Sequence, residues 1–204
     1  MIHSLLSLAL LCSGAQAETW NIDKSHSKVG FEVTHMMIST VEGNFGDFSG
    51  AIDVDEKGKL NSLSGEVTIS SVDTSDAKRD AHLQQDDFFA ASQFPKMTFT
   101  STKVKGNHKN GYSVTGNLTI RDITKPVTLK LAPFKGPITD GWGNTRVATV
   151  ATTQINRQDF GVTWNSTLDS GGLVVSDEVQ INIKMEFIQA KCLINLNALE
   201  HAPS

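Results

Sequence analysis

Between Val179 and Phe187 every second residue is apolar: Val179, Ile181, Ile183, Met185 and Phe187 alternate with Gln180, Asn182, Lys184 and Glu186. A period of two describes a pleated strand with one buried face and one wet face. The same alternation predicts eight strands, at 28–35, 44–54, 63–71, 97–104, 111–121, 126–132, 146–155 and 178–188. On the fifth, for instance, Tyr112, Val114, Gly116, Leu118 and Ile120 alternate with Ser113, Thr115, Asn117 and Thr119. Enrichment in Thr, Val and Ile favours strand over helix throughout. Repeated one-sided strands call for an antiparallel sheet curled around its apolar face. The expected fold is therefore all-β, an eight-stranded antiparallel barrel.

Polar turns separate the strands. Asp55-Glu56-Lys57-Gly58, Lys105 to Gly111 and Arg121 to Pro126 suit hairpins. Two connections are longer. Residues 73–95 predict a short helix between strands 3 and 4, capped by Thr74 or Ser75 with Ala77 to Gln84 as its body. Residues 132–145 carry Pro133, Gly136, Pro137, Gly141, Trp142 and Gly143, and predict an irregular loop over one barrel end.

Inward positions mix bulky and small residues, with Gly65, Gly116, Thr149 and Ala151 among Phe31, Phe99, Leu118 and Phe187. An eight-stranded barrel either fills its interior with side chains or holds one small ligand. Small inward residues favour a ligand, whereas a packed sandwich would use the same glycines at bulges and bends. On the cavity reading, Val33, Phe45, Val67, Phe99, Val114, Leu118, Thr149, Ala151 and Ile183 form the wall, and Phe88 and Trp142 close the ends. His35 follows Val29, Phe31 and Val33 on the inward parity and is placed to face a ligand headgroup or to make a hydrogen bond at the barrel end.

With 204 residues the chain fits one domain, and its net charge of −4 with both signs dispersed favours neither nucleic acid nor an anionic membrane surface. Residues 1–17 contain no Asp, Glu, Lys or Arg. An apolar run from Leu5 to Leu11 precedes Ala15-Gln16-Ala17, the pattern of a signal peptide cleaved after Ala17 and too short to span a bilayer. Its n-region is weak, with only the amino terminus and His3. A lipoprotein signal at Cys12 is disfavoured by the bulky Leu11. The expected mature protein is periplasmic, runs from Glu18 without an integral membrane segment, and keeps Cys192 as its single cysteine.

Several segments together carry a resemblance: Trp20-Asn21-Ile22-Asp23 leading to Ser25-His26-Ser27, Phe31-Glu32-Val33-Thr34-His35, Gly43-Asn44-Phe45 with Phe48-Ser49-Gly50, Arg79-Asp80-Ala81-His82-Leu83, Asp87-Phe88-Phe89, Phe94-Pro95-Lys96-Met97-Thr98-Phe99, Val114 to Ile120, Lys125-Pro126-Val127-Thr128-Leu129, and Ile155 to Gly161. In this order and spacing, from about residue 19 to 190, the chain resembles the YceI-like family of exported polyisoprenoid-binding proteins. The resemblance implies a lipocalin-like barrel over residues 18–191, usually a homodimer, enclosing a polyprenyl, quinone-like or other amphiphilic lipid, with no catalytic residues and no cofactor beyond that lipid. It departs from the family at Asp122, where glycine is frequent, and the tail 192–204 lies beyond the pattern.

Other chemistry is poorly supported. The six histidines include no i, i+4 zinc pair and have no cysteine partners, so no metal is expected. Arg79, Asp80 and His82, like Arg157 and Asp159, suit structural pinning better than catalysis. The alternative function, a secreted lipid-modifying hydrolase using a histidine at the barrel mouth, lacks a G-x-S-x-G elbow, and Ser25 and His26 are neighbours whose side chains diverge on a strand. A binder needs no sharp motif, because ten buried methylenes supply roughly 8 kcal/mol gross.

Overall fold

The computed structural model describes residues 18–167 and 172–190; the expected signal peptide and the tail from Cys192 lie outside the described residues. The strands are β1 (Glu18–Ile22), β2 (Lys28–His35), β3 (Ser39–Phe45), β4 (Phe48–Val54), β5 (Leu60–Thr68), β6 (Val72–Asp73), β7 (Lys96–Asn107), β8 (Gly111–Ile120), β9 (Ile123–Leu131), β10 (Lys135–Thr139), β11 (Thr145–Asn156) and β12 (Val175–Gln189). One helix, α1 (Ala77–Leu83), follows β6.

Eleven of these strands make eight staves of a closed antiparallel barrel, and β10 pairs only with β11. β1 and β2 both run antiparallel to β12 and form one stave bent at the 3-10 turn Lys24–His26. β3 and β4 form the next, bent at Gly46-Asp47, since β3 pairs with β2 and β4 with β1. β5 and β6 form the third, bent at the 3-10 turn Ile69–Ser71. β7, β8, β9, β11 and β12 complete the ring, closed by the β11–β12 ladder.

The eight strands read from the sequence thus become eight staves, with local corrections. The strand expected at 44–54 begins earlier, at Ser39, and bends where Gly46 interrupts the pleat. Residues 69–71 are a 3-10 turn because the stave must fold over the barrel rim there. Within the expected loop 132–145, β10 pairs with the start of β11 in a hairpin. The helix cap is Asp76, whose carboxylate accepts from the Lys78 and Arg79 amides, rather than Thr74 or Ser75. Thr74 instead donates its hydroxyl to Asp80 at 2.5 Å and accepts from Arg79 Nε at 2.7 Å, which pins α1 to the sheet.

The seam between β9 and β11 is short, limited to Leu131 opposite Ala151 and Lys130 opposite Thr152. The Ala132 amide reaches Val150 across this seam, so alternate residues, Pro126 among them, turn their backbone nitrogens the same way. Pro126 has no N–H to leave unpaired where the strands diverge. The split is filled by the 3-10 turn Arg157–Phe160, whose Phe160 ring is buried against Ile123, Val127 and Ile155.

Two glycines serve the barrel's curvature by making room for rings. A Cβ on Gly43 would lie 2.3 Å from the Phe31 ring directly opposite it, and one on Gly116 would lie 2.5 Å from the Phe99 ring. These small inward positions are occupied by neighbouring aromatics. Gly65 differs, since a Cβ there would meet only the Ser49 carbonyl oxygen at 3.6 Å.

Candidate functional site

Burial changes along single strands. On β12, Phe187 is 1% exposed and Met185 is buried, whereas Ile183, Ile181 and Val179, on the same inward parity, are only half-buried. Val29, Phe31 and Val33 on β2 behave likewise. Inward apolar groups that keep exposed surface border an internal space. That space is a cavity of about 220 Å³, walled by these residues with Phe45, Val67, Met97, Leu118 and Val127. For scale, an engineered apolar cavity of roughly 150 Å³ stays dry and takes up benzene.

Below this cavity the barrel is packed across its middle. Trp20, Ile52, Leu60, Leu63, Phe99, Tyr112, Val114, Leu129, Leu131, Val147, Ala151, Met185 and Phe187 form one buried cluster. This plug is the cavity floor.

The cavity roof comes from α1 and the segment after it. Leu83, Phe88 and Phe89 border the space. Phe88 stacks on Trp164 with ring centroids 5.2 Å apart, and the His82 ring meets both edge-on. His82 Nε2 is 2.8 Å from an Asp87 carboxylate oxygen. Two arginines hold the roof in place. Arg121 takes φ +57°, a left-handed conformation that costs a non-glycine residue of order 1–3 kcal/mol. From there its guanidinium donates to the Asp86, Phe88 and Gly161 carbonyls at 2.8–3.1 Å. Arg157, 6% exposed, donates to the carbonyls of Val162, Trp164, Val175 and Ser176 and to the Asp177 carboxylate. Every guanidinium direction is used, so this buried cation ties Val162 and Trp164 to the start of β12. Burial pulls its pKa below the ordinary arginine value, and Asp177 opposes that shift.

The cavity lining includes Val33, Phe45, Val67, Phe88, Phe99, Leu118 and Ile183 of the residues proposed from the sequence. Val114, Thr149 and Ala151 sit in the packed middle instead, each 6% exposed or less. Their parity is inward, but the neighbouring rings fill the space before them. Thr149 donates its hydroxyl to the Ala132 carbonyl at 2.8 Å. His35 lies at the end of β2, paired with Ser39 and Val175, and is not part of the lining. Trp142, expected to close an end, is 83% exposed at the tip of the β10–β11 hairpin, because the turn around Asp140 directs it outward. Sequence reasoning passed over Phe89, Trp164 and Arg121. The aromatic spacing of Phe88-Phe89 was a usable signal for the first, and a two-residue hairpin turn without glycine was one for the last.

Outside the barrel lies a charge cluster. Arg146 reaches Asp23 at 2.6 Å, Asp140 at 2.6 Å and Glu186 at 2.7 Å, and Asp23 also bonds the His26 ring at 2.8 Å. These hydrogen bonds, from His26 first and then Arg146, lower the Asp23 pKa to about 2. The Asn144 amide and then Arg146 hold Asp140 well below the usual carboxylate range. Asp23, His26 and Glu186 bring three ligand atoms within 4.8 Å of one another. Arg146 already neutralises two of those groups, so the arrangement is an ion-pair clasp between β1, β11 and β12. Among the described residues, no hydroxyl or thiol side chain is hydrogen-bonded to a histidine ring. Also among them, no helix is long and apolar enough to cross a membrane.

Comparison with known proteins agrees with this architecture. The YceI protein of Salmonella newport is 38% identical over 191 residues, covering 92% of this chain and 96% of that protein. The crystal structure of the Campylobacter jejuni YceI protein superposes with a TM-score of 0.67 at 31% identity, covering 94% of this chain and 100% of that one. A polyisoprenoid-binding domain from Saccharophagus degradans shares the fold at a TM-score of 0.57 and 14% identity, over 84% of this chain and 98% of that domain. The YceI-like domain family matches residues 20–187, and the chain belongs to that family.

Proposed function

We propose that this protein binds a long-chain amphiphilic lipid, a polyisoprenoid or quinone-like molecule, with the apolar chain held in the hollow half of the barrel. The observation that carries the reading is the 220 Å³ space bordered by half-buried Val, Ile and Phe side chains and roofed by Leu83, Phe88 and Phe89. Affinity for such a ligand comes from apolar area, at about 0.8 kcal/mol per buried methylene. The polyisoprenoid-binding domain that shares the fold supports the ligand class. The protein acts as a non-enzymatic periplasmic carrier or store, exported with cleavage after Ala17 and working as a homodimer.

Solvent extraction of the purified protein followed by mass spectrometry tests the reading. A co-purified lipid with a prenyl or long alkyl chain is the expected result. Protein that is repeatedly ligand-free and takes up no added prenyl alcohol overturns it. Export is tested separately by fractionating cells that express the full chain.

A further inference from the structure

Six large apolar side chains are exposed among the described residues, and four of them gather at the cavity end of the barrel. Met36, Met37 and Ile38 form the turn between β2 and β3, 40%, 72% and 86% exposed, and Leu173 is 41% exposed. The Met36 amide donates to the Val174 carbonyl at 2.8 Å, which holds the 173–175 segment against the turn. Val175 pairs with His35 and lines the cavity. Apolar surface thus runs from the turn to the cavity wall within three consecutive residues.

The turn is built against backbone preference. Met36 and Met37 have φ of +50° and +62°, and the Ile38 amide closes the turn on the His35 carbonyl at 3.1 Å. Two successive left-handed residues mark the type I′ hairpin, whose usual occupants are Asn-Gly or Asp-Gly. Methionine in both places adds backbone strain and exposes two apolar chains, so folding alone does not account for the pair. The hairpin also protrudes. β3 pairs with β6 only at Asn44 and Phe45, so residues 39–43 run on beyond that neighbouring strand.

The surroundings of the tip are uncharged. Residues 33–41 and 172–176 contain no Asp, Glu, Lys or Arg. The first charges along the hairpin are Glu32 and Glu42, exposed and opposite each other on the ladder. At about 3.3 Å per residue they lie roughly 13 Å behind Met36 and Ile38. An interfacial segment sinks about 5–10 Å into the boundary between headgroups and acyl chains, so the tip enters without burying either carboxylate. With two acidic groups behind it and no cation beside it, the tip gains nothing from an anionic surface. A second protein copy is a poor match, because a protruding two-residue turn falls well short of the ~800 Å² per partner that a stable interface buries.

We infer that the β2–β3 turn is a docking tip that enters the surface of a zwitterionic lipid bilayer and sets the cavity end of the barrel against it. Its purpose rests on the lipid-binding reading, whereas docking itself requires no bound guest.

Flotation of the mature chain from Glu18 with phosphatidylcholine vesicles, with and without phosphatidylglycerol, tests the inference. The protein is expected to float with both, without gain from the anionic lipid. Met36→Asn with Met37→Gly installs the favoured turn pair, so Tm is expected to hold or rise while vesicle partitioning falls at least about tenfold. Methyl NMR with nitroxide-labelled phosphatidylcholine is expected to broaden Met36 and Met37 and to spare Met185 in the plug. Docking by protein that holds no lipid would count against the lipid reading alone. Absent flotation, undiminished flotation of the variant, a requirement for phosphatidylglycerol, or broadening of the cavity-lining Met97 without Met36 and Met37 would overturn the inference.

Discussion

The plug across this barrel and the roofed half above it use the same strands, the same alternation and much the same residues, yet one is solid and the other hollow. On β12 the transition occurs between Met185 and Ile183, within a single pleat. The plug gathers Trp20, Tyr112 and Phe187 from three staves into one cluster with Ile52 and Leu63. The hollow half places its rings differently. Phe31 lies over Gly43, and Phe99, at the boundary, lies over Gly116, so both rings are drawn towards the wall. The lesson is that void volume depends on where rings lean, at constant hydrophobicity.

The sharpest way to break the comparison is to fill the hollow half. Gly65→Phe projects a ring into open space, and is expected to abolish lipid retention while moving Tm by no more than about 4 °C, equivalent to ~1 kcal/mol in a chain of this size. Lipid extraction and thermal unfolding of one preparation read both quantities. Next, Phe187→Ala in the plug is expected to cost about 3–5 kcal/mol in denaturant unfolding, as truncations of buried phenylalanine do. Ile181→Ala in the ligand-free protein is expected to cost less than half as much, since its side chain already borders empty space. Equal costs would mean that the halves are packed alike.

A further prediction concerns the clasp outside both halves. The folded-state pKa of Asp23 is depressed from 3.8 to about 2, so its stabilising contribution is complete above about pH 4 and is lost as pH falls towards 2. Asp23→Asn is expected to flatten acid unfolding over that window, read by circular dichroism. The smallest effect is reserved for Trp142→Ala. This residue touches neither half, and its removal is expected to change stability by less than about 0.5 kcal/mol and leave bound lipid unchanged.

The staves were legible in the sequence because period two is a local property that every strand carries. Their bends were less so, since Gly46-Asp47 and Ile69–Ser71 interrupt staves that resume in the same direction. The division into halves was not legible at all. Ala151 and Gly65 are both small and inward, but Ala151 is buried in the plug while Gly65 borders the void, and only the positions of residues on other staves distinguish them. Trp142 misled for a related reason. An aromatic among glycines and prolines suggests a lid, yet the β10–β11 hairpin carries it away from the barrel axis.

The rings that lie over glycines have a consequence for how such a barrel changes over generations. The bore at that height is set jointly by two positions on adjoining staves, so enlarging Gly43 while Phe31 remains creates a collision, and shrinking Phe31 alone widens the bore. Gauge is thus inherited as matched couples, and a descendant can acquire a wider or narrower guest by exchanging one couple without adding or losing a stave.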